Sequence, residues 1–170
     1  MRIKTTILAA IALITANAFA GEITIDSKNP LLPPTGAVNF LKSADIDVFG
    51  MYVFGSDDFE DTYGIGGSLG WKLNNVIGLE TEYWYIDGPQ LHNAALNAVL
   101  QLPVGTDLAI RPFVGGGIAA TNDVRALGQA GVDLLWSPTR NWSVLVGYRY
   151  VYRDDYSDYQ GATAGFGFTF

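Results

Sequence analysis

Large apolar residues alternate with small or polar ones along most of the chain after residue 44, with a period of two. Successive side chains of a strand point to opposite faces, so this period sorts them into two rows. The last residues show it plainly: Phe166, Phe168 and Phe170 share one face, and Gly165, Gly167 and Thr169 take the other. Over 141–153, Trp142, Val144, Val146, Tyr148, Tyr150 and Tyr152 stand opposite Ser143, Leu145, Gly147, Arg149, Val151 and Arg153. Segments 62–73 and 126–137 divide in the same way. Eight strands are predicted, over 45–55, 62–73, 76–86, 92–103, 107–121, 126–137, 141–153 and 161–170.

The connections alternate in kind. Residues 73–75, 103–106 and 137–140 form tight turns, whereas those at 56–61, 87–91, 121–125 and 154–160 are mostly acidic. Short strands joined to their neighbours in sequence predict an all-β, antiparallel, up-and-down sheet. A soluble sheet ending on an exposed phenylalanine row would present an edge prone to aggregation. Closing the eight strands into a barrel removes both edges and satisfies the backbone within lipid. In a soluble carrier barrel the apolar row would face inward, where eight strands leave limited room. The apolar row here is the bulky one, so it is predicted to face lipid, with small and polar groups inside.

Aromatic placement points the same way. Trp71, Trp136, Trp142, Phe168 and Phe170 fall at strand ends beside the tight turns or the C-terminus. Tyr52, Phe54, Tyr63, Tyr83, Tyr85, Tyr150 and Tyr152 fall at the opposite ends. Two aromatic bands are what amphipathic rings produce at the two interfaces of a bilayer.

Residues 1–20 read as a secretory signal: Arg2 and Lys4, an apolar run from Ile7 to Ala16, then Ala18-Phe19-Ala20 for cleavage. Residues 21–44 form a second region, an extension on the periplasmic side, because Asn29-Pro30 and Pro33-Pro34 interrupt regular structure there. The barrel occupies 45–170. After the signal no run of eighteen apolar residues occurs, which excludes a helical membrane span.

Removing Arg2 and Lys4 leaves eight basic residues against seventeen acidic ones, a net charge of −9. No basic face for nucleic acid is expected from that balance. With no cysteine, neither disulfides nor a lipid-modified N-terminal cysteine can form.

The strand count, the run Pro112-Phe113-Val114-Gly115-Gly116-Gly117 and the terminal Phe170 together resemble the small eight-stranded outer-membrane barrels of the OmpA/OmpX-like family. The resemblance covers about 45–170 and is one of architecture. It implies a bacterial outer-membrane location, outer-membrane lipids and lipopolysaccharide as surroundings, and a last strand read by the barrel-insertion machinery. A monomer without cofactor is expected. The pattern departs from OmpA in having no peptidoglycan-binding domain after the barrel and no long outer loops, so adhesin or receptor roles are not expected.

The inward face holds Asp47, Glu80, Glu82, Arg111, Asp133 and Arg149. An eight-stranded interior is just wide enough to be filled by side chains, so these groups should pair as a structural network. The rival for the same residues is a narrow ion-conducting pore. Glu80 and Glu82 also stand as close carboxylates, but no substrate cleft accompanies them. The acidic loops contain Asp57, Asp58, Glu60, Asp61, Asp87, Asp123, Asp154, Asp155 and Asp158, whose spacing fits no EF-hand loop; a solvated rim is expected. His92, the single histidine, with Ser56 or Ser157 is the candidate for a lipid A-modifying enzyme. The His-x-Ser pair of the lipid A deacylases is absent, and no catalysis is expected.

Overall fold

The computed structural model describes residues 44–170 apart from 56–59, 75, 140 and 155–156. The signal sequence, the extension as far as residue 43, and Ser56, Asp57, Asp58 and Asp155 lie outside the described residues.

Eight strands run antiparallel: β1 Ala44–Phe54, β2 Thr62–Lys72, β3 Ile77–Ile86, β4 Leu91–Leu100, β5 Leu108–Ala120, β6 Val124–Trp136, β7 Trp142–Arg153 and β8 Tyr159–Thr169. Each pairs with its neighbours in sequence, and β1 pairs with β8 from Asp45↔Thr169 to Phe54↔Gln160, closing the barrel. No open edge is left. β4 resumes as Leu102–Pro103, which pairs with Ile110 and Ala109 in the register already set by Val99↔Phe113. The break falls opposite Pro112, which has no N–H to give to the ladder. Gln101 at that point donates instead to the Val76 carbonyl on its other side, at 2.7 Å.

Among the described residues, tight turns occur at both ends. Asp87–Gln90 closes on a Gln90 N–H to Asp87 carbonyl bond of 2.9 Å, with Gln90 in the left-handed region at φ 51°. Thr121–Asp123 is as compact as the turns at the other end.

The faces divide by parity as the alternation predicted. Val48, Tyr63, Ile65, Val114, Val146, Phe166, Phe168 and Phe170 are each more than half exposed on the outside, an apolar surface that no water-soluble carrier would present. Trp136 and Trp142 meet edge to face, 6.4 Å between centroids, beside the chain ends. Tyr52, Phe54 and Tyr63 cluster at the opposite end. Trp71 departs from its band: its register places it outward, yet it is buried.

The interior is not the wholly small and polar one that the alternation suggested. Phe49, Met51, Val53, Trp84, Ile86, Phe113, Leu127, Val151 and Tyr159 all point inward and are buried. Glycines opposite them make the room. At Gly66 a Cβ would stand 2.6 Å from the Phe49 ring, and at Gly131 2.5 Å from that of Phe113.

Candidate functional site

The interior has two layers along the axis. The layer nearer the chain ends is polar and centred on Arg111 of β5. Its Nη1 reaches Asp47 Oδ2 of β1 at 2.9 Å and Glu80 Oε2 of β3 at 3.3 Å. Its Nε and Nη2 both donate to Asp133 Oδ2 of β6, at 3.2 and 3.0 Å. Ser68 adds its hydroxyl to Asp47 Oδ2 at 3.3 Å. One guanidinium thus ties four strands together, and Asp47, Glu80, Arg111 and Asp133 are all buried. The fork geometry and permanent charge of arginine suit this task, whereas a lysine could not span the same carboxylates.

Deeper in, Arg149 of β7 donates through Nη1 to Glu82 Oε1 and lies 3.5 Å from Gln129 Oε1. Gln129 in turn donates to Glu82 Oε2 at 2.9 Å and to Asn97 Oδ1 at 2.8 Å. Asn97 donates to Glu82 Oε2 at 3.1 Å and to Glu80 Oε1 at 3.4 Å, joining the Arg149 and Arg111 groups. The rings of Phe49, Trp84 and Phe113 stand 4.9, 5.4 and 5.4 Å from the Arg149 guanidinium carbon. In a dry interior such faces replace part of the lost hydration of a cation.

Beyond Arg149 the filling turns apolar: Val53, Ile86, Leu91 and Val151 are at most 2 % exposed. Trp84 Nε1 donates to the Tyr159 hydroxyl at 2.8 Å across this layer. Arg153 stands over the Tyr159 ring and holds the Ser157 carbonyl through Nη2 at 2.6 Å. At the end where the chain termini of the barrel lie, a vestibule of about 440 Å³ opens toward Asp47, Arg111 and Ser143.

All six charged residues singled out from sequence point inward, and Arg111 and Arg149 bridge the four carboxylates. Asn97, Gln129, Trp84 and Tyr159 were not among them. Trp84 has the parity of Glu80 and Glu82, and Asn97 lies directly across from Glu80 in the β3–β4 register, so parity and register carried the signal.

His92 stands on the outward face of β4, its Nδ1 2.7 Å from the Tyr83 hydroxyl and its ring 4.9 Å from that of Tyr85. Ser157 precedes β8, which lies diametrically across the barrel from β4 in the strand order, so the wall separates it from an outward imidazole. Ser56 lies outside the described residues. Among the described residues no group of three or more His, Asp or Glu side chains is placed to hold a metal ion.

A closed eight-stranded antiparallel barrel, apolar outside and filled inside, is the transmembrane β-barrel of bacterial outer membranes. The N-terminal barrel domain of Pseudomonas aeruginosa OprF is similar in structure, at TM-score 0.59 and 21% identity over 77% of this chain and 99% of that one. Neisserial surface protein A superposes at TM-score 0.55 and 14% identity, covering 75% and 96%. A de novo designed transmembrane β-barrel matches at TM-score 0.55 and 17% identity, over 76% and 96%. A match to a designed barrel underlines that this likeness is one of fold. No protein-family model and no curated protein sequence matches the chain.

Proposed function

We propose that the protein is a non-conducting, non-catalytic outer-membrane barrel with a structural role in the envelope, its interior closed by its own side chains. The observation that carries this reading is the continuous filling across the lumen, from the Arg111 group through Arg149 and its three rings to the Trp84–Tyr159 bond. An ion entering the vestibule meets a polar layer cross-bridged by Arg111 and Arg149, then an apolar layer that offers it no ligand. The chain ends would lie on the periplasmic side and the acidic rim outside. A monomer surrounded by lipid and lipopolysaccharide, inserted through recognition of the Phe170 strand, completes the reading. Against catalysis stands the outward, tyrosine-bonded His92.

Planar-bilayer recording of the refolded protein tests it. The expected result is a bilayer as quiet as the protein-free control. Steady channels whose ion selectivity changes on replacing Arg111 or Arg149 would establish the pore instead.

A further inference from the structure

The vestibule at the chain ends is a cup with a charged floor. Arg111 forms that floor, and Asp47, Glu80 and Asp133 take up its Nε, Nη1 and Nη2. Nearer the mouth, Asp45 shows how this wall holds an ammonium group. Lys72 Nζ lies 3.2 Å from its Oδ2, and the Thr169 hydroxyl donates to its Oδ1 at 2.6 Å. A carboxylate with a neighbouring hydroxyl meets a primary ammonium there. Lys72 and Arg111 are the two cations of the lining, and each is already matched by carboxylates.

Two residues deeper the same pair of groups recurs without an ammonium. Asp47, Gly167 and Ser143 form one row across β1, β8 and β7. Asp47 Oδ1 and Ser143 Oγ both stand over the bare Cα of Gly167, where a Cβ would lie 2.6 Å from the hydroxyl. Asp47 and Ser143 are 4 % and 9 % exposed. Arg111 and Ser68 take the other oxygen of Asp47. Among the described residues, Asp47 Oδ1 and the Ser143 hydroxyl have no hydrogen-bond partner, and neither is sealed from the vestibule. Asp107 lies on the opposite wall, just before β5 and with the parity of Arg111. Its carboxylate also has no partner among the described residues. Asp107 stands four residues nearer the mouth than Arg111. At ~3.3 Å per residue that is about 13 Å along the strand.

We propose that the vestibule binds a linear aliphatic polyamine, one terminal ammonium held by Asp47 Oδ1 and Ser143 Oγ and the other by Asp107. A primary ammonium carries three donors, so it can meet a carboxylate and a hydroxyl together. Carboxylates this far apart cannot share one ammonium, which calls for at least two on a flexible chain. The vestibule of about 440 Å³ has room for that chain. Asp45, Asp47 and Asp107 against Lys72 and Arg111 leave the lining one negative charge in excess, which draws cations into the cleft. A bare metal ion fits less well, because among the described residues no three His, Asp or Glu side chains converge to hold one. The site rests on the closed interior proposed above, since an open lumen would turn the cup into a passage.

Titration of the refolded, isotope-labelled protein with spermidine in zwitterionic micelles tests the site, read by NMR at the Ser143 and Gly167 amides. Zwitterionic micelles offer the amine no anionic lipid to bind. The expected result is a saturable shift at both amides. Affinity should fall about tenfold in Ser143→Ala, which loses a hydrogen bond to a charged group. It should fall about fivefold in Asp107→Asn, where the lost ion pair is exposed. Both changes leave every bond of Arg111 in place. 1-Butylamine, with a single ammonium, should bind at least about tenfold more weakly than spermidine. Sodium chloride at equal charge should leave the two amides unshifted. No saturable shift, a shift matched by sodium or 1-butylamine, or unchanged affinity in both variants would overturn the site. A quiet bilayer alongside an absent spermidine shift would remove the polyamine and leave the closed barrel standing.

Discussion

Trp84 and Tyr159 lie 75 residues apart in sequence and join across the lumen, the indole N–H donating to the phenolic oxygen at 2.8 Å with both side chains buried. Tyr159→Phe would leave the indole N–H without this acceptor in an apolar layer. An unsatisfied buried donor costs about 1–3 kcal/mol. The variant is expected to fold with that loss in equilibrium urea unfolding. A loss under about 0.5 kcal/mol would show that the bond contributes nothing net.

Arg149 and Glu82 form the deeper ion pair. Removing one partner of a buried pair costs about 3–5 kcal/mol, because the other charge remains buried. Arg149→Ala is expected to destabilise by that order, and Glu82→Ala in the same chain to recover part of it. Strictly additive losses in the double-mutant cycle would remove the coupling claimed here.

Gly117 and Gly50 make opposite demands. A Cβ at Gly117 would run into the backbone carbonyl of Ala94 and stand 2.7 Å from the Ala95 Cα, atoms that cannot swing aside. At Gly50 nothing lies within 4 Å. Gly117→Ala is therefore expected to yield little heat-modifiable barrel on gel electrophoresis, while Gly50→Ala folds to the wild-type level.

Asp61 anchors the first connection to the aromatic band. Its Oδ2 accepts the Tyr52 hydroxyl at 2.5 Å, and its Oδ1 the Gly55 N–H at 2.7 Å. The Tyr52 bond first and the Gly55 bond second hold this carboxyl below its ordinary range. A depressed folded-state value means that the anchoring is fully present above about pH 4 and is lost as pH falls through the lowered value. An NMR titration of the Asp61 carboxyl should give a midpoint below that of an unstructured peptide. A midpoint at or above the peptide's would show the anchor to be absent.

Orientation can be read from single cysteines at Asp123 and Thr139, which lie at opposite ends of the barrel. In intact cells an impermeant thiol reagent is expected to label position 123 and not 139. The reverse result would invert the barrel.

Fold class, strand number and the direction of every face were legible in the sequence, because a strand's period of two does not depend on its neighbours. Phe166, Phe168 and Phe170 had to lie on one side, and lipid is the surroundings that such a row tolerates. The inward direction of Arg111 and Arg149 followed from the same parity. Their partners did not. Which carboxylate meets which guanidinium depends on how far each strand is staggered against the next around a closed ring, and hydrogen-bond register is not written in any single strand. Asp47 lies 64 residues from the arginine it meets. The apolar layer was hidden for a related reason. Trp84, Ile86 and Val53 are ordinary apolar residues in sequence, and only the closed lumen stacks them with Tyr159 into a seal. Asp133 and Thr163 crowd against Gly147 only because three strands bring them into one row, where the missing Cβ leaves room for the carboxylate.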